Sequence, residues 1–181
     1  CASCSRVDAV SDGDRLQRFL FVDLPVRGHL VRLDASWRAA IEHHAYPAPV
    51  CERLGEAMAA SVLMAGALKF EGRLSLQFEG PGPLRLLLAQ CTHRHAIRGV
   101  ARHDELDAAA EGTTIWFADG RLAATIEQDE SGERYQGVVP LGLPSLAACL
   151  EQYFEQSEQL PSCFVLAATP ERACGLLLQR V

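Results

Sequence analysis

Positive charge is scarce in this sequence: 17 Lys and Arg stand against 23 Asp and Glu, for a net charge of −6. Such a balance offers no basic footprint for phosphate backbones, so nucleic acid is not an expected partner. A long apolar run is also missing. The longest, from Ala57 to Leu68, is broken by Ser61 and falls well short of the roughly 20 residues that cross a bilayer; it reads as a buried helix, and no membrane partner is expected. The amino end, Cys1 to Asp14, is small and polar, without the basic start and apolar core of a secretory signal. Internal repeats and low-complexity segments are lacking. So is any Ser, His and acid grouping with a nucleophile signature, and the prolines of Gly80-Pro81-Gly82-Pro83 remove the backbone donors that a phosphate-cradling loop needs. These absences point away from an enzyme. The seven cysteines are odd in number, and Cys51, Cys91, Cys149, Cys163 and Cys174 sit in or beside apolar segments. Reduced, buried thiols in a cytoplasmic protein fit this usage better than a secreted disulfide framework.

What is present is apolar content, 49% of 181 residues, enough for one substantial core. Cys1 to Asp14 reads as a flexible tail and residues 15–181 as a single domain, with order beginning near Leu16. Arg27 to Asp34 reads as a strand, and Asp34 or Ser36 can cap a helix running to His43. Pro47 and Pro49 break the chain. Val50 to Leu68 then carries the longest helical pattern, apolar on nearly every side over its second half. After Gly72 the period switches to two, with Leu74, Leu76 and Phe78 on one face. Strands at Leu84 to Leu88 and Ala96 to Arg102 extend a meander. Thr113 to Ala118 and Arg121 to Gln128 form a further pair around Asp119-Gly120, and Tyr135 to Leu141 continues that sheet. A second helix opens at Pro144-Ser145, with Leu146, Cys149, Leu150, Tyr153 and Phe154 on one face. Strands Cys163 to Thr169 and Gly175 to Val181 close the chain. Hairpins around one all-round apolar helix predict an α+β fold: β/α/β layers with that helix buried between mainly antiparallel sheets.

Few groupings carry candidate chemistry. Cys1 and Cys4 form the one CxxC. Redox work would need an activated thiol with a helix start just after it, whereas Ser5 to Asp14 offers acidic residues and a glycine, and acidic neighbours raise a thiol pKa. A small thiol-disulfide oxidoreductase using Cys1 and Cys4 is the enzymatic alternative; as a metal site the pair is half a tetrahedron. Cys91, His93 and His95 would share a face if extended, but they fall in a predicted hairpin loop. His43 and His44 lie at a helix end, where imidazolium suits the negative pole. Glu127, Asp129, Glu130 and Glu133 read as a solvated hairpin tip. Leu87 and Trp116 each point away from their apolar neighbours; if those faces meet solvent they form an apolar interaction patch, and otherwise the sheet is covered on both faces.

Glu133-Arg134-Tyr135-Gln136-Gly137-Val138-Val139, the amphipathic run from Ser145 to Gln159, and Leu160-Pro161-Ser162 closely resemble the core of the bacterial redox-regulated heat-shock holdases, the 33 kDa chaperonin family. Further matching segments, in that family's order and spacing, are Arg18-Phe19-Leu20-Phe21, Val26-Arg27-Gly28, the Tyr46-Pro47-x-Pro49-Val50 break, Leu68-Lys69-Phe70-Glu71-Gly72, Gly82-Pro83-Leu84, Arg98-Gly99-Val100-Ala101-Arg102 and Gly175-Leu176-Leu177-Leu178-Gln179. The resemblance implies an ATP-independent chaperone that binds unfolding or oxidatively damaged client proteins under oxidative or heat stress, and a homodimer. It also implies a switch outside this chain, a carboxyl-terminal module whose CxC and CxxC bind zinc; Cys1 and Cys4 lie at the wrong end to be those cysteines, and no zinc is expected in this chain. A dimerisation module without client binding is a further alternative.

Overall fold

The computed structural model describes residues 13–105 and 119–180. In chain order they form β1 (Arg15–Leu20), β2 (Val26–Leu33), α1 (Ala35–Ile41), α2 (Ala48–Ala67), β3 (Gly72–Glu79), β4 (Leu84–Thr92), β5 (Ile97–His103), β6 (Gly120–Gln128), β7 (Arg134–Leu141), α3 (Leu146–Tyr153), β8 (Ser162–Ala168) and β9 (Ala173–Arg180). Pro47 and Pro49 start α2 because their fixed φ suits a first turn and the missing N–H groups have no intrahelical partner there. Every residue from Ala57 to Gly66 is buried. A helix apolar on all sides cannot rest on one sheet, and here two antiparallel sheets enclose it, ordered β1-β2-β9-β8 and β5-β4-β3-β6-β7. The expected β/α/β layering is therefore the observed one. Its single buried hydroxyl, Ser61, donates to the Met58 carbonyl at 2.8 Å and leaves the helix intact. Among the described residues no helix is long and apolar enough to cross a membrane.

Helix α3 closes one side of the layers. The Ser145 hydroxyl accepts from the Ala148 N–H at 3.1 Å, the N-cap that its position before an apolar run implies. The helix then widens into one π-helical turn, Phe154–Glu158, and stops at Gln159 in the left-handed region. That turn carries Tyr153 and Phe154 into the core, where Phe154 meets Phe164 of β8 with ring centroids 5.6 Å apart.

Several local expectations need correction. β1 is a strand that its sequence does not announce. The helix α1 is capped neither by Asp34 nor by Ser36, because a carboxylate from outside gets there first. Asp14, 2% exposed, accepts from the Asp34 N–H at 2.6 Å and from the N–H and hydroxyl of Ser36. The Asp34 carboxylate instead receives Arg32 at 2.7 Å and Arg172 at 2.5 Å, tying β2 to the β8–β9 turn. The expected strand Thr113 to Ala118 lies outside the described residues, and its expected partner β6 pairs with β3 on one side and β7 on the other. Finally, a bulge between Leu84 and Leu86 shifts the alternation of β4.

Packing of α2 on the four-stranded sheet depends on Gly55, where a Cβ would stand 2.5 Å from the Ala168 Cβ. We expect Gly55→Val to destabilise the fold by about 1–3 kcal/mol through overpacking, read as a lower urea midpoint with an unchanged m-value.

Candidate functional site

The sequence Gly175-Leu176-Leu177-Leu178 cannot bury all three leucines on a strand, since neighbours point to opposite faces. Leu177 is fully buried against α2, while Leu176 and Leu178 turn outward and remain half-exposed. The registers extend this outward face across the four-stranded sheet. One row runs Phe19, Gly28, Leu178, Cys163, and the next runs Gln17, Leu30, Leu176, Val165. Leu30 is 43% and Val165 58% exposed. Phe19 lies flat over Gly28, where any Cβ would come within 2.1 Å of the ring, and Phe21 meets Phe19 edge-on at 5.7 Å. The inward rows, such as Leu16, Val31, Gly175 and Leu166, carry the core. The result is a contiguous apolar face, a feature that marks an interaction site more often than decoration.

The face is not the one the sequence singles out. Leu87 is fully buried: the β4 bulge places it on the inner face, opposite Phe78 and Ala101, and turns Leu86 and Leu88 outward. As an exposed contact Leu87 is corrected: it lies on the covered inner face, and Leu86 and Leu88 are the outward, part-exposed pair. Trp116 lies outside the described residues, as do Cys1 and Cys4. The sequence signal of this exposed face is apolar residues on both parities of one strand, as in Leu176 to Leu178 and Cys163 to Ala168.

The described thiols are poor redox groups. Burial pushes the Cys91 thiol up to about 12 and raises Cys149, and burial with the nearby Glu151 raises Cys163. Cys91 faces the core, whereas His93 accepts from the Gly72 N–H at 2.9 Å and His95 turns at φ 61° in the β4–β5 hairpin. The three do not converge. Among the described residues no group of three or more His, Cys, Asp or Glu could hold a metal ion, so the donors present do not fit a zinc site. In the acidic cluster Glu127 is paired with Arg73 across β6 and β3, and Asp129 to Glu133 form an exposed turn.

A family model described as Hsp33 protein matches residues 14–181. The chain is 47% identical over 170 residues to the 33 kDa chaperonin of Ectopseudomonas mendocina, covering 93% of this chain and 57% of that protein. It is 46% identical over 173 residues to the 33 kDa chaperonin of Azotobacter vinelandii, covering 95% and 58%. The crystal structure of the 33 kDa chaperonin (heat shock protein 33 homolog) of Thermotoga maritima is similar with a TM-score of 0.77 at 26% identity, covering 90% of this chain and 59% of that one. The chain thus spans less than three-fifths of the length of these relatives.

Two outcomes follow from the geometry. Leu87→Ala should lower stability by about 2–5 kcal/mol as a core cavity, measured by urea unfolding, because its side chain has no exposed surface to lose. His29, on the inward face of β2, is 3% exposed and its Nδ1 has no partner. Burial, with Arg18 and Arg27 nearby, lowers its pKa to about 4. Between that value and the unfolded value near 6.5 the unfolded chain binds more protons, so stability present above pH 6.5 is lost as pH falls toward 4. We expect a loss of about 1–3 kcal/mol over this window, screening included, and a flatter profile in His29→Leu.

Proposed function

The chain belongs to the Hsp33 protein family, and from that premise we propose that residues 15–181 are the core of an ATP-independent holdase that binds unfolding or oxidatively damaged proteins and keeps them from aggregating. The observation that carries this reading is the exposed apolar face of the four-stranded sheet, centred on Leu30, Leu176 and Val165. A client segment covering these residues with Phe19 and Leu178 gains on the order of 5–10 kcal/mol at about 25 cal/mol per Å². Association costs of about 4–15 kcal/mol offset much of that gain. Capture by this face is therefore weak for one short segment, reversible, and stronger for chains that present several. Binding needs no covalent step and no nucleotide, so the protein acts without catalysis.

We further infer redox control by a cysteine-zinc module in the part of the relatives' length that this chain does not span, and a homodimer in the cytoplasm; the family resemblance supports this reading. Supporting a separate switch, the described thiols are held protonated by burial, and their surroundings supply no activated pair. Five free cysteines among the described residues suit a reducing compartment.

The test is to replace the face without touching the core. Leu30→Gln combined with Val165→Gln should cut suppression of aggregation of a thermally unfolding protein several-fold and reduce apolar-dye binding, while stability shifts by no more than about 0.5 kcal/mol per site as for surface changes. Undiminished suppression by this double variant would remove the face from the mechanism.

A further inference from the structure

The apolar face is bounded by cations at both ends. At one end the outward row is Arg15, Arg32, Cys174 and Ala167; at the other, Val26 and Arg180. Arg15, Arg32 and Arg180 are exposed. Arg32 shares the Asp34 carboxylate with Arg172, and the buried Asp14 carboxylate lies against the Asp34 backbone, so the unbalanced cations of the face are Arg15 and Arg180. Arg15 and Arg180 have no ion pair among the described residues. No Asp or Glu occurs in β1, β2, β8 or β9; exposed Asp23 and Glu171 sit in the turns at the two ends of the sheet, Glu151 of α3 reaches Cys163 and the Phe164 N–H at the β8 edge, and Asp14 is buried at the start of α1. This local excess stands in a chain whose net charge is −6. The cations are also spaced along the strands. From Val26, opposite Arg180, to Arg32 is six residues of β2, about 20 Å at roughly 3.3 Å per residue.

Resting on the capture reading above, we propose that this face selects its clients by charge: it takes extended apolar segments flanked by carboxylates about six residues apart and disfavours the same segments flanked by lysine or arginine. An extended client spans the same distance per residue as the strands beneath it, so its two carboxylates reach the Arg180 and the Arg15–Arg32 ends while the residues between cover Leu30, Leu176 and Val165. Rim charges of this kind set choice more than affinity.

The experiment measures binding of two labelled peptides to the 181-residue chain by fluorescence anisotropy: five apolar residues flanked by Glu at each end, and the same five flanked by Lys. The whole-molecule charge favours the Lys peptide and the local face favours the Glu peptide, so the two fields predict opposite signs. At about 0.1 M salt, where the Debye length is about 10 Å, the Glu peptide should bind roughly fivefold tighter, with the margin shrinking as salt rises. Arg15→Glu with Arg180→Glu should reverse the order. Equal affinities, or tighter binding of the Lys peptide, would overturn charge selection and leave the capture reading standing. Failure of both peptides to bind, together with absence of aggregation suppression, would overturn both.

Discussion

One constraint organises this molecule: the second half of helix α2, from Ala57 to Gly66, is apolar around its whole circumference and has no face that water tolerates. Burying it takes a layer on each side, and each layer must itself be apolar inward. The four-stranded sheet supplies Val31, Phe164 and Leu177 and the five-stranded sheet supplies Leu74, Leu76, Phe78 and Leu87, all buried. Close approach matters as much as apolarity. Gly55 on the helix, and Gly99 and Gly175 on the sheets, each lack room for a Cβ, which would stand 2.5, 2.7 and 2.8 Å from Ala168, Met58 and Leu63. The helix lies near the sheet backbones, and small residues such as Ala57, Ala59 and Ala60 make that possible.

Once both inner faces are committed to α2, the outer faces are free to differ, and they do. Across the five-stranded sheet a polar row follows the register through Arg98, Gln90, Ser75, Thr125 and Gln136. Within it Gln90 donates to Ser75 at 2.7 Å and Gln136 to Thr125 at 2.8 Å, and Arg98 is bonded to Gln90. Arg121 pairs with Glu79 at 2.7 Å one end further along. The four-stranded sheet has no such row over its middle. There the outward positions are Leu30, Leu176 and Val165 with one glutamine, Gln17. The five-stranded sheet thus sets this hydrogen-bonded polar row beside an outward row of Val100, Leu88, Gln77, Ala123 and Val138, whereas the middle of the four-stranded sheet is apolar apart from Gln17.

Much of this was legible in the sequence, and the failures have physical reasons. The buried helix, its proline start and the Ser145 cap depend on neighbours within four residues, and a one-dimensional reading resolves them. Asp14 reaches the start of α1 from about twenty positions away, so a nearer Asp34 or Ser36 looked like the cap. Strand β1, Arg-Leu-Gln-Arg-Phe-Leu, carries arginine on both parities of its alternation and owes its form to pairing with β2. The β4 bulge exists only relative to β5, and without it the parity of Leu87 cannot be assigned. For the same reason the exposed apolar face of the four-stranded sheet is not legible in sequence alone: Leu176-Leu177-Leu178 announces a strand apolar on both sides, but only the assembled layers reveal which side is left uncovered.

An exposed apolar sheet face invites aggregation of the very protein that carries it, and the arrangement of charge here opposes that outcome. Two copies meeting face to face would bring Arg15 and Arg180 of one against those of the other in either alignment of the strands, parallel or antiparallel. Like charges directly opposed are destabilising, and the repulsion is strongest where the apolar surface between them would otherwise be buried. The edge strand β1 adds Arg18 on its second parity, a charge of the kind that blunts edge pairing. A partner bearing carboxylates escapes both penalties. On the proposed reading the same arginines oppose self-association of this face and leave it open to other polypeptides, and the fold can separate the two tasks because inward and outward residues alternate along every strand. Stability resides on one parity and recognition on the other.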